Sequence, residues 1–383
     1  MIVSTTLVGP GTVDVLDLAL ESVRDQVDSC ILIPTFDGGR ELERELHRAS
    51  VRAGVGKRYH VRRFQWCDDF SAARNYALDV AAGAGADWAV TLDTDERLAF
   101  GDVDLRARLA ETDVDVWLVA QADGSYAKER IIRIASAAVR NLGNGYRWRG
   151  PTHECLPLVG GSKRATLDGV TFSELAKSPE QLREKFQRDG QILQLDLVQR
   201  PPSADNARSW FYYGESMHGL GELEPAIHAF ETCATHSGWN EEAAWSRYRA
   251  ADLSCRLGKF DQAIEHAALG LTKHAGIAEL GWIAGIAAFR AGRFEQAIHW
   301  ATLAASVGWF SGTGRWIQRG GFRYPPALWE GPYDILWHAF EALGEHEQAA
   351  RNRARKAAAE KLRFRDAGAK VDDDEADSEP DAT

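Results

Sequence analysis

Cysteine is scarce in this 383-residue chain: Cys30, Cys67, Cys155, Cys233 and Cys255 are odd in number and widely spaced. Such a set suggests neither a disulfide framework nor a thiolate metal cage, and it fits a reducing cytoplasm. Long apolar runs are missing too. None approaches the roughly 18 residues of a membrane span, and Met1-Ile2-Val3-Ser4-Thr5 begins without a basic segment leading into an apolar one. Secretion and integral membrane insertion are therefore not expected, while attachment through partners stays open. Basic charge is the third shortage. Lys and Arg number 45 against 56 Asp and Glu, a formal charge of -11. Seven of those acids fall in Asp372–Asp381 with no base among them, and setting them aside leaves 45 bases against 49 acids, a net of -4. A nearly neutral body has no general field for gathering DNA or RNA, although a focused basic patch can hide inside the average.

The composition, 45% hydrophobic and 26% charged, is that of a soluble globular protein large enough for one big core or two ordinary ones. The periodicity changes at Arg200-Pro201-Pro202-Ser203. Before it, short β-rich runs alternate with helical stretches. The runs Ile2–Val8, Ile31-Leu32-Ile33 and Tyr59–Phe64 alternate with helices expected over Val13–Val23 and Arg40–Ala53, a βαβαβ order whose apolar helix stripes suit a mostly parallel sheet. A helix over Ser71–Ala82 with a capping start at Asp69 or Ser71 follows, then a strand over Ala86–Leu92. Asp115–Gln121 and Ala127–Ile134 read as strands at a mixed edge, joined by the turn Asp123-Gly124-Ser125, and a helix over Glu180–Leu197 joins the halves.

After residue 200 one phrase recurs. Gly221-Glu222-Leu223-Glu224-Pro225-Ala226-Ile227, Gly258-Lys259-Phe260-Asp261-Gln262-Ala263-Ile264 and Gly292-Arg293-Phe294-Glu295-Gln296-Ala297-Ile298 are spaced by 37 and 34 residues, with a weaker echo at Gly344-Glu345-His346-Glu347-Gln348-Ala349. The glycine suits the turn of a helical hairpin and the alanine permits close helix contact, as in tetratricopeptide repeats. Nine of the 13 tryptophans lie from Trp210 onward, where most can plug the space between hairpins. Gly308–Gly331 interrupts the rhythm with Trp309, Phe310, Trp316, Phe322, Tyr324 and Trp329 among glycines and Arg315, Arg319 and Arg323. It is either an irregular packing insert or an aromatic rim for an acceptor. The organisation expected is an α/β domain over 1–200, helical repeats over 201–362 and an acidic, disordered tail over 363–383.

The sharpest local signal is Thr91-Leu92-Asp93-Thr94-Asp95-Glu96, directly after a strand. In open α/β sheets ligands gather beyond the carboxyl ends of strands, and two carboxylates one residue apart can hold a divalent cation that neutralises a diphosphate. Turn capping and plain surface charge are the alternatives.

Together with Trp66-Cys67-Asp68-Asp69-Phe70-Ser71-Ala72-Ala73-Arg74-Asn75-Tyr76-Ala77 and Arg147-Trp148-Arg149-Gly150-Pro151-Thr152-His153-Glu154, this segment resembles the signature of family 2 glycosyltransferases of the GT-A fold, in the branch joined to tetratricopeptide repeats. The resemblance covers about residues 1–200. It implies a GT-A-like, Rossmann-related sheet, a Mn²⁺ or Mg²⁺ ion and a nucleotide-sugar donor, a UDP-sugar being the expected class. It gives Asp93 the ribose or a metal-bound water, Asp95 the metal, and Asp69 and Arg74 the donor pocket; Arg74 has the alternative of a buried ion pair fixing the Asp93 loop, and Asn75 of bracing its helix. His153 either completes the metal shell, contacts the diphosphate or makes a structural hydrogen bond. Glu154 is either the base that deprotonates the acceptor or a partner orienting His153.

Two places depart from the family pattern. Val8-Gly9-Pro10-Gly11 and Pro34-Thr35-Phe36-Asp37-Gly38-Gly39 replace the usual Asn-Glu pair and Asp-Thr-Gly-Ser-type turn. Asp37 is then the candidate base-facing acid and Phe36 a candidate stacking face, or both belong to plain turns. The function this implies is an inverting transfer of a sugar to a peptide, glycan or modified nucleic acid gripped by the repeats. The rivals are a nucleotidyltransferase and a non-catalytic scaffold that keeps a degraded transferase domain and binds a protein through its repeats. A Rossmann dehydrogenase is less attractive, because Gly9-Pro10-Gly11 lacks the full glycine pattern.

Overall fold

The computed structural model describes residues 1–123, 126–134, 146–157, 160–308 and 322–372. They fall into two compact units, Met1–Ile192 and Leu193–Thr383.

The first unit is mixed α/β. Strands β1 (Ile2–Val8), β2 (Ser29–Pro34), β3 (Tyr59–Val61) and β4 (Trp88–Asp93) are parallel in the order β3-β2-β1-β4. Successive side chains point to opposite faces of a strand. Cys30 and Leu32 of β2 accordingly join Leu16 and Leu20 of α1 (Leu16–Val23) and Leu42 and Leu46 of α2 (Gly39–Arg52), whereas Ile31 and Ile33 join Ala77, Leu78 and Ala81 of α3 (Phe70–Gly83). A strand covered on both faces needs an unbroken apolar run, and β2 supplies one.

Four further strands extend the sheet to the full order β3-β2-β1-β4-β7-β6-β8-β5. β7 (Ala127–Arg133) lies antiparallel to β4, β6 (Val116–Gln121) antiparallel to β7, β8 (Arg164–Glu174) parallel to β6, and β5 (Glu96–Ala99) antiparallel to β8. β5, β8 and α4 (Leu105–Ala110) have no counterpart in the sequence-based expectation. β5 is only four residues long, and β8 carries Gly169 at a φ of 81° where its register against β6 shifts, so neither shows clean alternation. The helix expected over Val13–Val23 divides into a 3-10 turn, Val13–Val15, and α1. Regular pairing of β3 stops at Val61, although the Arg62 and Phe64 N–H groups still donate to the Leu32 and Pro34 carbonyls at 2.9 and 3.0 Å.

Helix α5 (Pro179–Leu197) crosses the division of the chain. The second unit is an all-α, tetratricopeptide-like helical repeat region. Its hairpins are α6 (Ala207–Leu220) with α7 (Leu223–His236), α8 (Asn240–Arg256) with α9 (Phe260–Lys273), and α10 (Ala278–Arg290) with α11 (Phe294–Val307). After the short α12 (Pro325–Leu328), α13 (Gly331–Ala342) pairs with α14 (His346–Asp372). Gly221, Gly258, Gly292 and Gly344 turn the four hairpins at φ values of 85°, 73°, 74° and 76°, the left-handed region that glycine alone enters without cost. Ala226, Ala263 and Ala297 are fully buried. Later first helices also pack on one another, α8 on α10 and α10 on α13, as expected for the inner side of such a stack. Trp245 is buried in this core, whereas Trp239 stays 43% exposed. Trp309, Phe310, Arg315, Trp316 and Arg319, and the tail from 373 onward, lie outside the described residues.

Candidate functional site

The segment bearing the candidate acids is fixed first by the start of α3. Asp69 caps that helix: its Oδ1 accepts from the Ala72 N–H at 3.0 Å and the Ser71 hydroxyl at 2.6 Å. The Phe70 N–H donates to the Pro151 carbonyl at 2.8 Å. Asn75 donates to the Trp148 carbonyl at 3.0 Å and accepts from the Trp148 N–H at 2.8 Å, pinning the 146–157 segment to α3. Between these ties Arg74 is buried, with its guanidinium 5.4 Å from the Trp148 ring centroid.

From Arg74 a line of opposite charges runs through the sheet end. Arg74 pairs with Glu154 on one side and with Asp93 Oδ1, at 2.8 Å, on the other. Asp93 Oδ2 accepts from Arg130 of β7 at 3.2 Å, and Arg130 also pairs with Glu96. Lys128, two residues before Arg130 on the same strand, reaches Glu96 at 2.8 Å and pairs with Glu174 at the end of β8. Seven side chains alternate in sign along the path Glu154, Arg74, Asp93, Arg130, Glu96, Lys128, Glu174. They connect α3, β4, β5, β7, β8 and the 146–157 segment. Side chains of Glu96 and Arg130 are 0% and 4% exposed, so the middle of the line is sealed from water.

The other candidates lie apart from it. Asp95 pairs with Lys177 at 2.5 Å and with none of the partners of Asp93 that are described. His153 sits at a φ of 50°, and its Nε2 is 3.5 Å from Oδ2 of Asp189 on α5. Asp189 is itself buried and accepts from Lys185 at 2.7 Å and Arg188 at 2.7 and 3.0 Å. Glu154 therefore points to Arg74 while its neighbour His153 points to Asp189. Asp37 is exposed, accepts from the Gly39 N–H at 3.1 Å and pairs with Arg63 at 3.0 Å. Among the seven candidates only Arg74, Asp93 and Glu154 come together. The sequence-based reading missed the cations that bind them, although Lys128 and Arg130 share one face of an expected strand by their spacing of two.

The electrostatics follow from this pairing. Burial alone would raise the Asp93 carboxyl, but the charges of Arg74, Arg130 and Lys128 outweigh it and hold the group far below the carboxylate range. Burial likewise opposes the charge on Arg74 and Arg130, and their carboxylate partners more than offset it. Asp189, pushed up by burial, is held low by the His153 hydrogen bond and by Lys185 and Arg188. His153 is shifted down chiefly by burial.

A pH dependence results. Asp93 and Asp189 titrate lower in the folded chain than in the unfolded one, so the unfolded state binds more protons as the medium is acidified. Their contribution is fully present above the unfolded value of about 4 and is lost as pH falls toward the folded ones. His153 acts in the same direction below about 6.5, since the unfolded imidazole takes up its proton first. Urea unfolding followed by circular dichroism should show stability falling from about pH 5 downward, with a shallower fall in Asp93→Asn. Equal slopes for the two proteins would contradict the assignment.

The donor set does not fit a divalent cation. Among the described residues no group of three or more His, Cys, Asp or Glu side chains is placed to hold a metal. Both carboxylate oxygens of Asp93 are committed to Arg74 and Arg130, and Oδ2 of Asp95 to Lys177. No family model matches the chain. A curated TPR repeat-containing protein of Synechococcus elongatus is 32% identical over 153 residues, 40% of this chain. The chain thus spans about a third, 34%, of that relative's length. Among solved structures, MamA matches with a TM-score of 0.38 and 14% identity over 50% of this chain and 99% of its own. TPR-like repeats of a putative kinesin light chain from Podosopora anserina match with a TM-score of 0.36 and 14% identity, over 47% and 88%.

These findings correct the enzymatic expectation. The motifs around Asp69, Asp93, Asp95 and His153 do not make the chain a family 2 glycosyltransferase: no family model supports it, and the relative found by sequence is described by its repeats. The expected Mn²⁺ or Mg²⁺ ion, the UDP-sugar donor and the peptide, glycan or nucleic-acid acceptor go with it. The nucleotidyltransferase rival needs the same cation, for which the described residues offer no group of three or more ligands. No helix of the described residues is long and apolar enough to cross a membrane.

Proposed function

We propose that the protein is a non-catalytic scaffold whose helical hairpins bind another protein. The observation that carries this reading is the continuous repeat core, in which Phe211, Phe230, Trp245, Tyr248, Leu280 and Ile283 join three hairpins in one apolar cluster. A stack of that kind presents an extended inner surface built from successive first helices, a geometry suited to gripping a partner along its length. The curated relative, named for its TPR repeats, supports the same reading. In the α/β unit, Arg74, Asp93, Glu154, Asp95 and His153 hold the fold together and meet no substrate. Five cysteines, odd in number and widely spaced along the chain, support a reducing cytoplasm as its location.

The test compares affinity capture by the full chain, by Asp95→Asn and by Phe230→Ala, whose substitution loosens the repeat core. A scaffold retains the same captured protein in Asp95→Asn and loses it in Phe230→Ala. Capture that follows Asp95 and ignores Phe230, or the absence of any reproducible partner, would overturn the proposal.

A further inference from the structure

β3 closes the sheet on one side, and among the described residues no strand pairs with its outer edge. Its inner edge is satisfied. The Arg58 carbonyl accepts from the Cys30 N–H at 2.7 Å, and the Arg62 and Phe64 N–H groups donate to the Leu32 and Pro34 carbonyls. Main-chain groups of a strand turn alternately to its two edges, so those of Tyr59, Val61 and Arg63 face outward. Among the described residues none of them has a main-chain partner. A side chain stands in at one point: the Arg62 guanidinium donates to the Val61 carbonyl at 2.9 Å.

The edge is also the most one-sided stretch of charge in its unit. Between Glu45 and Asp68 the chain holds Arg48, Arg52, Lys57, Arg58, Arg62 and Arg63 and no acid. Lys57, Arg58, Arg62 and Arg63 border the open edge and are exposed, as is His60. Arg63 pairs with Asp37 and Glu43, both on the surface, and Arg58 donates to the Val27 and Arg24 carbonyls. Lys57 and Arg62 have no acidic partner among the described residues. Cations along an edge keep like edges apart. A second copy is therefore disfavoured, since pairing two such edges sets like charges side by side. A nucleic-acid backbone offers phosphate acceptors, whereas the outward groups alternate donor with acceptor, a pattern that another peptide main chain matches.

We infer that the outer edge of β3, over Tyr59–Arg63, takes an acidic extended segment of a partner protein as an added strand. Main-chain hydrogen bonds to Tyr59, Val61 and Arg63 supply affinity, and the bordering cations select carboxylates on the incoming side chains. Arg62 gives up the Val61 carbonyl and turns to one of those carboxylates. The site belongs to the α/β unit and stands whether or not the helical hairpins grip a protein.

The probe is an end-blocked, labelled peptide, Glu-Val-Glu-Val-Glu-Val, titrated with the full chain by fluorescence anisotropy. It should bind saturably and more weakly as salt is raised, and Lys-Val-Lys-Val-Lys-Val should not bind. Val61→Pro removes an outward N–H at an edge, where proline is tolerated, and should weaken binding at least about tenfold by leaving a peptide carbonyl without its donor. Lys57→Glu/Arg62→Glu should abolish binding. Should Val61→Pro fail to fold, the peptide carries the test instead: N-methylation of alternate residues along one of its edges should abolish binding, and along the other should preserve it. No binding by the folded parent, or binding indifferent to both Val61→Pro and the methylated edge, would overturn the inference. Displacement of the peptide by a short single-stranded DNA would make the edge a general anion patch and overturn it too. Self-association of the chain that the peptide reverses would assign the edge to a second copy, with the same consequence.

Discussion

Replacing Arg130 with Met lowers the stability of the α/β unit by about 3–5 kcal/mol, the range for removing one member of a buried ion pair. The size follows from what stays behind. Glu96 is fully buried and retains only Lys128 among its cationic partners, while Asp93 retains Arg74 and loses the second guanidinium that holds its carboxyl ionised. A methionine fills much of the same volume, so the loss reports charge left uncompensated rather than a cavity. The double variant Arg130→Met/Glu96→Gln should recover part of the loss, because it removes the stranded charge along with its partner. Urea unfolding monitored by circular dichroism measures both. A loss below about 1 kcal/mol in the single variant would mean that the charge line is an exposed, screened arrangement.

The Phe230→Ala variant should destabilise the repeat unit by a comparable amount, about 3–5 kcal/mol, the range for a buried aromatic truncated to alanine. Phe230 is fully buried between the helices of the first hairpin, its ring edge-on to Phe211 at 5.7 Å. It fits because position 214 has no side chain: a Cβ there would fall 2.8 Å from the Phe230 ring. Gly214→Val alone therefore overpacks the same contact, at a cost of about 1–3 kcal/mol. The two substitutions share one space, so together they should cost less than their sum. Strict additivity in urea unfolding would show that the ring and the glycine do not face each other.

How far the fold was legible depended on the period of each segment. The hairpins were plain because Gly221, Gly258 and Gly292 recur with an alanine five residues on, and a left-handed turn followed by a close helix contact needs those residue types. The parallel strands were plain because β2 is apolar on both faces. By contrast β5 and β8 carry charge and a bulge, and their pairing is decided by residues far away in sequence. The acid cluster misled for the same reason. Asp93-Thr94-Asp95 is compatible with a cation site as a string of letters, and what decides its role is the identity of the charges that fold against it. Arg130 and Lys128 come from a strand more than 30 residues later, and Lys177 from beyond β8. Local spacing cannot show that pairing, whereas the alternation within β7 did hold a hint of it. Phe322 and Tyr324 were legible as aromatic but not as packed on the repeats, because the rings they meet are scattered over Phe211, Trp239, Trp245 and Trp282.

The central claim is that the carboxylates beyond β4 are neutralised within the protein and grasp no cation. Titrating Mn²⁺ into the full chain and into Asp95→Asn by isothermal calorimetry tests it directly, the comparison cancelling any ion taken up by the acidic residues after 371. The account predicts the same isotherm for both proteins and no release of nucleoside diphosphate when a UDP-sugar is added. A saturable site present in the parent and missing in Asp95→Asn, with sugar turnover that disappears alongside it, would contradict it.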